Sequence, residues 1–204
     1  RPSVNKSCAI FYKSDNEDLN DILLKAAQNA LMSTILTFGE INSNTDATLV
    51  SYNLLDDETA KVAANIGGML YEFNTKLIGR HNALNLLAVI LASYYLDLNL
   101  GRVTRLIEKC QPLEGRGKVL SIDKFDKRFS VIDDSYNANP ASVKASLEHL
   151  ANLNSVSKVV ILGDMLELGD DAEQYHKNLK SSLLASRARK FVAVGPLMRS
   201  LYDI

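Results

Sequence analysis

The sequence is poor in the residues that usually announce a metal centre. Its two cysteines, Cys8 and Cys110, stand far apart. They read as free thiols of a reducing compartment, with one disulfide as the alternative. The histidines, His81, His149 and His176, fall in separate segments with no H-x-x-x-H pair, which speaks against structural zinc; no residue is assigned to a metal. Net charge is also lacking: the balance is −1, so nothing electrostatic recommends nucleic acid or an anionic membrane as partner. No long hydrophobic run is present. Leu86–Leu96 is broken by Ser93 and two tyrosines and falls short of the about 20 apolar residues a membrane span needs. It reads as a buried helix, without membrane insertion. No secretory signal opens the chain. Nor is there a G-x-x-x-x-G-K-[ST] phosphate loop, a G-x-G-x-x-G fingerprint, a G-x-S-x-G elbow or a kinase signature set.

What is present is an ordinary core-forming composition, 47% apolar and 23% charged over 204 residues. That is enough for one large or two small domains. The chain starts at Arg1 without a methionine and is apolar by Ala9, which suggests a piece of something longer. Cys8–Tyr12 reads as a strand followed by a polar turn. Leu19–Ala30 has a helical stripe, Ser33–Phe38 and Ala47–Leu54 are strands, and Thr59–Ile78 suggests a hairpin around Gly67-Gly68. After Gly79, His81–Leu98 and Gly101–Cys110 read as helices.

The segment 111–117 is the best linker. Beyond it strands and helices alternate: strand Phe129–Ile132, helix Pro140–Leu153, strand Lys158–Leu162, helix Asp171–Ala185 and strand Phe191–Val194. Such alternation points to a mostly parallel sheet flanked by helices. Lys118, Lys124, Lys127 and Arg128 suggest a solvated strand face, and His149 and His176 read as surface residues of helices.

Three segments carry candidate chemistry. In Val131–Pro140 a strand delivers Asp133 and Asp134 at its carboxyl end, and a helix follows with Asn139 as N-cap and Pro140 in its first turn. Ligands of open α/β sheets bind at such strand ends, and a helix start offers N–H groups to an anion; a capped turn with solvated aspartates is the alternative. In Gly79–Asn85, Asn82 and Asn85 share a helix face, as do His81 and Asn85. Two amides there could read a purine edge, or simply cap and solvate the helix. In Leu162–Gly169, Asp164 follows a strand as Asp134 does. Two acidic strand ends on one sheet edge could converge on an ammonium or a metal, or the segment is a plain βα loop whose helix starts with an Asp171–Gln174 capping box. Arg116 in the linker could reach a phosphate or be solvated.

Together, Gly79-Arg80-His81-Asn82-Ala83-Leu84-Asn85, Gly115-Arg116, Asp133–Pro140 and Leu162–Gly169 resemble the Mur ligase family of bacterial cell-wall synthesis, in the form of its D-alanyl-D-alanine-adding branch. Asp15-Asn16 and Thr37-Phe38-Gly39 also sit where the family has similar residues, although Lys13 stands where it usually has asparagine.

The resemblance implies an α/β fold. Residues 1–111 would be the remnant of a central ATP-binding α/β domain, and 112–204 a truncated, Rossmann-like, mostly parallel carboxy-terminal domain. It implies an ATP-dependent amide ligase that joins D-alanyl-D-alanine to a UDP-N-acetylmuramoyl-tripeptide through an acyl phosphate, cytoplasmic and monomeric. ATP and Mg2+ would serve it, with the phosphate loop and the main magnesium ligands upstream, leaving these residues inactive alone. Asn82, Asn85 and Asp134 would bind the nucleotide, with His81 beside the adenine and Arg116 toward the phosphates. Tyr136, Asn137, Asn139, Asp164 and Glu167 would line the dipeptide's cleft. The alternatives are a folylpolyglutamate-type ligase of the same superfamily and a non-catalytic binding module.

Overall fold

The computed structural model describes residues 9–15, 34–40, 45–55, 59–155 and 157–204. The expected helix at 19–30, together with Cys8 and Asn16, lies outside them. The chain divides into two compact units, Arg1–Gln111 and Pro112–Ile204.

The first unit is built on a five-stranded sheet in the order β1 (Ala9–Lys13), β2 (Thr34–Gly39), β3 (Ala47–Leu54), β4 (Ala60–Ile66), β5 (Met69–Thr75). The first three strands are parallel to one another and the last three antiparallel. The β4–β5 turn is made by Gly67 and Gly68, both at positive φ (57° and 84°). That is the backbone a tight two-residue hairpin demands. On β4, Ala60, Val62, Ala64 and Ile66 are buried at every second position, the signature of one face turned to a core.

That face receives α1 (Arg80–Tyr95), whose Ala83, Leu87, Ile90 and Leu91 recur at helical spacing and are fully buried. Each such aliphatic side chain larger than alanine contributes about 1.5–3 kcal/mol by leaving water. The helix starts one residue earlier than its periodicity suggests and stops three earlier, before Asp97 takes up φ 57°. Asn99 then caps α2 (Leu100–Ile107) by accepting from the Arg102 N–H at 3.0 Å.

In the second unit, β6 (Lys118–Lys124) and β7 (Lys127–Asp133) form an antiparallel hairpin. Of the basic residues expected to share a face there, Lys118, Lys124 and Lys127 do, whereas Arg128 lies opposite Asp123 on the other face. Phe125 and Asp126 make the turn with φ of 56° and 54°, so no glycine marks it in the sequence. Helix α3 (Pro140–Asn152) follows, then β8 (Val159–Gly163), which pairs in parallel with β9 (Lys190–Val194). Its core gathers Val143, Leu147, Val160, Met165, Leu179, Met198 and Leu201.

The expected helix 171–185 is instead a 3₁₀ turn (Gly169–Asp171), α4 (Ala172–Lys177) and α5 (Lys180–Ala185). The break falls where the Leu179 N–H bonds back three residues to the His176 carbonyl and the Leu179 side chain is fully buried. The expected Asp171–Gln174 capping box does not form. Asp171 sits at φ −86°, ψ 8° and makes no side-chain cap bond; the extended backbone of an N-cap is missing, and Gln174 Nε2 donates to Asn178 at 2.8 Å instead. A short helix α6 (Arg199–Tyr202) ends the described chain. No helix among the described residues is long and apolar enough to cross a membrane.

Candidate functional site

The candidate residues fall in both units, and each group is built by its own unit. In the first, the helix α1 begins at Gly79, whose φ is 110°. A Cβ at Gly79 would lie 2.5 Å from His81 Cε1, so the imidazole folds back over the glycine, and a side chain there would have to displace the ring on an already strained backbone. The Gly79 N–H donates to the Tyr52 hydroxyl at 2.7 Å. Burial pushes the Tyr52 phenol above its ordinary value, partly offset by that bond, so the hydroxyl remains a neutral strut beneath the helix start. Asn82 is half-buried, and its Nδ2 donates to the Ile78 carbonyl at 2.8 Å. Asn85 is exposed on the same helix face. Next to them Arg80 Nε pairs with Glu40 at 2.6 Å, and the Glu40 N–H donates to the Asp15 carboxylate at 3.1–3.2 Å. Glu40 carries no sequence signal, because the pairing spans 40 residues.

In the second unit Gly115 lies against the strand end. It has φ 70°, and a Cβ there would stand 2.9 Å from both Cβ and N of Tyr136. The Tyr136 N–H donates to the Gly115 carbonyl at 3.0 Å, and the Gly115 N–H donates to Asp133 Oδ2 at 3.2 Å. Asp133 Oδ1 accepts from the Ser135 hydroxyl at 2.6 Å and from its N–H at 3.2 Å. These bonds, led by the Ser135 hydroxyl, hold the Asp133 carboxyl below the usual carboxylate range. Asp133 is therefore the latch of the segment, a role the sequence does not single out from its neighbour.

Asp134 turns away to accept from the Ser146 hydroxyl on α3. Arg116 lies over the Tyr136 ring, 4.3 Å from guanidinium carbon to centroid, a cation–π contact on an exposed surface. Asn137 Oδ1 accepts from the next N–H, that of Ala138, at 2.8 Å. Asn139 caps α3 as expected: its Oδ1 accepts from Ser142 N–H at 2.8 Å, and Ser142 Oγ accepts from Asn139 N–H at 3.0 Å.

The segment after β8 is anchored separately. Asp164 accepts from the N–H groups of Met198 at 2.6 Å and Leu197 at 3.2 Å. Gly195, at φ 104°, leaves room for that carboxylate, which a Cβ would strike. The two acidic strand ends do not share a sheet edge, since β7 pairs with β6 and β8 with β9. Each carboxylate has a local protein partner. Glu167 is exposed with φ 60°. His176, expected at the surface, is fully buried; its helix turns it inward onto the loop and not to solvent. Among the described residues no group of three or more His, Cys, Asp or Glu could hold a metal ion.

Known proteins resemble this chain over most of its length. Residues 115–203 match the family described as Mur ligase, glutamate ligase domain. The UDP-N-acetylmuramoyl-tripeptide--D-alanyl-D-alanine ligase of Rickettsia prowazekii is 28% identical over 206 residues, 97% of this chain and 44% of its own. The crystal structure of MurF from Acinetobacter baumannii superposes with a TM-score of 0.80 at 26% identity, covering 96% of this chain and 40% of its own. MurF from Thermotoga maritima, crystallised with ADP, has a TM-score of 0.74 at 17% identity over 94% of this chain and 45% of its own, a likeness of fold alone. The chain thus spans less than half the length of these relatives.

Proposed function

Because the chain belongs to the Mur ligase family, a family of ligases, we propose that it serves the ATP-dependent joining of D-alanyl-D-alanine to a UDP-N-acetylmuramoyl-tripeptide. In this reading the tripeptide carboxylate attacks the γ-phosphate of ATP, giving an acyl phosphate and ADP. The dipeptide amine then adds to the acyl carbon, and the tetrahedral intermediate collapses with loss of phosphate and a proton to form the amide. Positioning and charge stabilisation supply the acceleration. Magnesium would neutralise phosphate charge when bound, with its main ligands upstream of these residues. The reaction is cytoplasmic, and the enzyme acts as a monomer.

Asn82 and Asn85 take the adenine with His81 beside them, Asp134 takes the ribose, and Arg116 approaches the phosphates. Tyr136, Asn137, Asn139, Asp164 and Glu167 shape the dipeptide's cleft. Asn139 and Asp164 do so indirectly, because a helix cap and two backbone N–H groups already engage them.

The observation that carries this reading is the build of the segment that joins Gly115 and Arg116 to the end of β7. Gly115, Arg116, Asp133, Asp134 and Tyr136 are tied into one piece that leaves the guanidinium on the surface and the Asp134 carboxylate oriented by Ser146. The test is Asp134→Ala in the complete ligase. Losing a good hydrogen bond to a charged group costs about 1.5–3 kcal/mol, so nucleotide affinity should fall by at least about tenfold. An unchanged affinity in a nucleotide titration would remove the ribose assignment.

A further inference from the structure

The loop between β8 and α4 is pinned from inside and bare outside. Asp164 holds it to the backbone of Leu197 and Met198, and the Met165 side chain is fully buried. The Met165 N–H donates to His176 Nε2 at 2.9 Å. Between these anchors and the 3₁₀ turn, Leu166 is 71% exposed and Glu167 is held at φ 60°, a left-handed conformation that is uncommon for a residue with a long side chain. The anchors spend their polarity on the protein; Leu166 and Glu167 face solvent.

His176 completes this arrangement. It is 0% exposed, and its other nitrogen, Nδ1, is 2.6 Å from the Ala172 carbonyl oxygen. A backbone N–H can only donate, so Nε2 must be the unprotonated nitrogen. A neutral ring then carries its proton on Nδ1, where it donates to Ala172. The imidazole thus bridges α4 to the loop in one tautomer only.

We propose that His176 is a positioning residue for the ligation reaction: through Met165 it fixes the loop so that Leu166 and Glu167 meet the incoming dipeptide. This rests on the reading of 163–169 as part of the dipeptide's cleft. It assigns the segment's direct contact to Glu167 and Leu166, and a supporting role to Asp164 and His176.

The test compares H176Q with H176N in the complete ligase. A glutamine amide oxygen can take the place of Nε2 and accept from Met165. An asparagine amide ends near Nδ1 and can serve only Ala172. Both leave a polar amide in the same buried site, so a residue that merely packs would tolerate or resent both alike. The expected result is a KM for D-alanyl-D-alanine raised about three- to tenfold in H176N, the worth of one hydrogen bond, with KM for ATP unchanged. H176Q should stay near the parent. Equal KM values in the two variants overturn the proposal.

If either variant fails to fold, the 15N spectrum of the unaltered 204-residue chain decides. A pyridine-type Nε2, a pyrrole-type Nδ1 and a slowly exchanging Met165 amide are expected, and the opposite tautomer or a doubly protonated ring sinks the bridge. Should the parent enzyme not use the dipeptide at all, the proposed substrate fails. The loop-holding role is then judged on Met165 amide exchange, expected to be fast in H176N and slow in H176Q.

Discussion

At Gly115 three demands fall on one residue: a left-handed backbone, an N–H donated to Asp133 and no room for a Cβ beside Tyr136. Gly115→Ala should therefore destabilise the second unit by about 1–3 kcal/mol, read as a lower denaturant midpoint; an unchanged midpoint would contradict the close approach to Tyr136.

Asp133 allows a second prediction, with its sign fixed by the direction of its shift. Its folded-state value lies below the unfolded one, so its contribution is complete above the ordinary carboxylate range and fades as acid protonates it. Asp133→Asn should flatten the loss of stability between about pH 5 and the acid limit, measured as denaturation midpoints across that range. Parallel acid slopes for parent and variant would show that the latch does not titrate as described. Glu173, lowered by Lys177 at 2.7 Å, adds to the same slope in both proteins and so cancels in the comparison. His176 marks the limit of reading residues singly: its Nδ1 bonds within its own helix to Ala172, but only the loop that crosses it supplies the partner for Nε2.

Elements were legible where their signals are local. The Asn139-Pro140 start of α3 could be read directly, because a cap needs only its own first turn. Asn139→Ala should cost about 1 kcal/mol, and hydrogen exchange should quicken first at the Ser142 amide; uniform exchange across α3 would refute the cap. The turn at Gly67-Gly68 announced itself likewise. The Phe125-Asp126 turn did not: aspartate tolerates left-handed backbone, but Phe125, the first of the two, is not a residue it usually selects. The break between α4 and α5 was also hidden. Burial of Leu179 and the bond from Leu179 to His176 decide it, whereas the sequence through Lys177-Asn178-Leu179 shows no glycine or proline to stop a helix.

For the molecule as a whole, the two units have separate cores, one around α1 and the mixed sheet and one around α3 and the β8–β9 pair. Missing from the 204 residues is the glycine-rich loop that would cradle a triphosphate. We therefore expect that the chain alone neither hydrolyses ATP nor ligates. A phosphate-release assay with ATP, tripeptide and dipeptide should match a blank without protein, and turnover above that blank would refute the division of labour.

The sequence by itself determined the family, the α/β class, most strand and helix positions and the motifs, because each is written in nearest-neighbour periodicity or in short runs of residues. Only the tertiary structure decided which acids are free and which are spent. Beyond the local bonds to Ser135 and Ala172, Asp133 and His176 take partners 18 and 11 residues away, and Asp164 and Glu40 take partners 34 and 40 residues away. A carboxylate or imidazole takes its role from the donor that folding brings to it, and no local pattern records that donor.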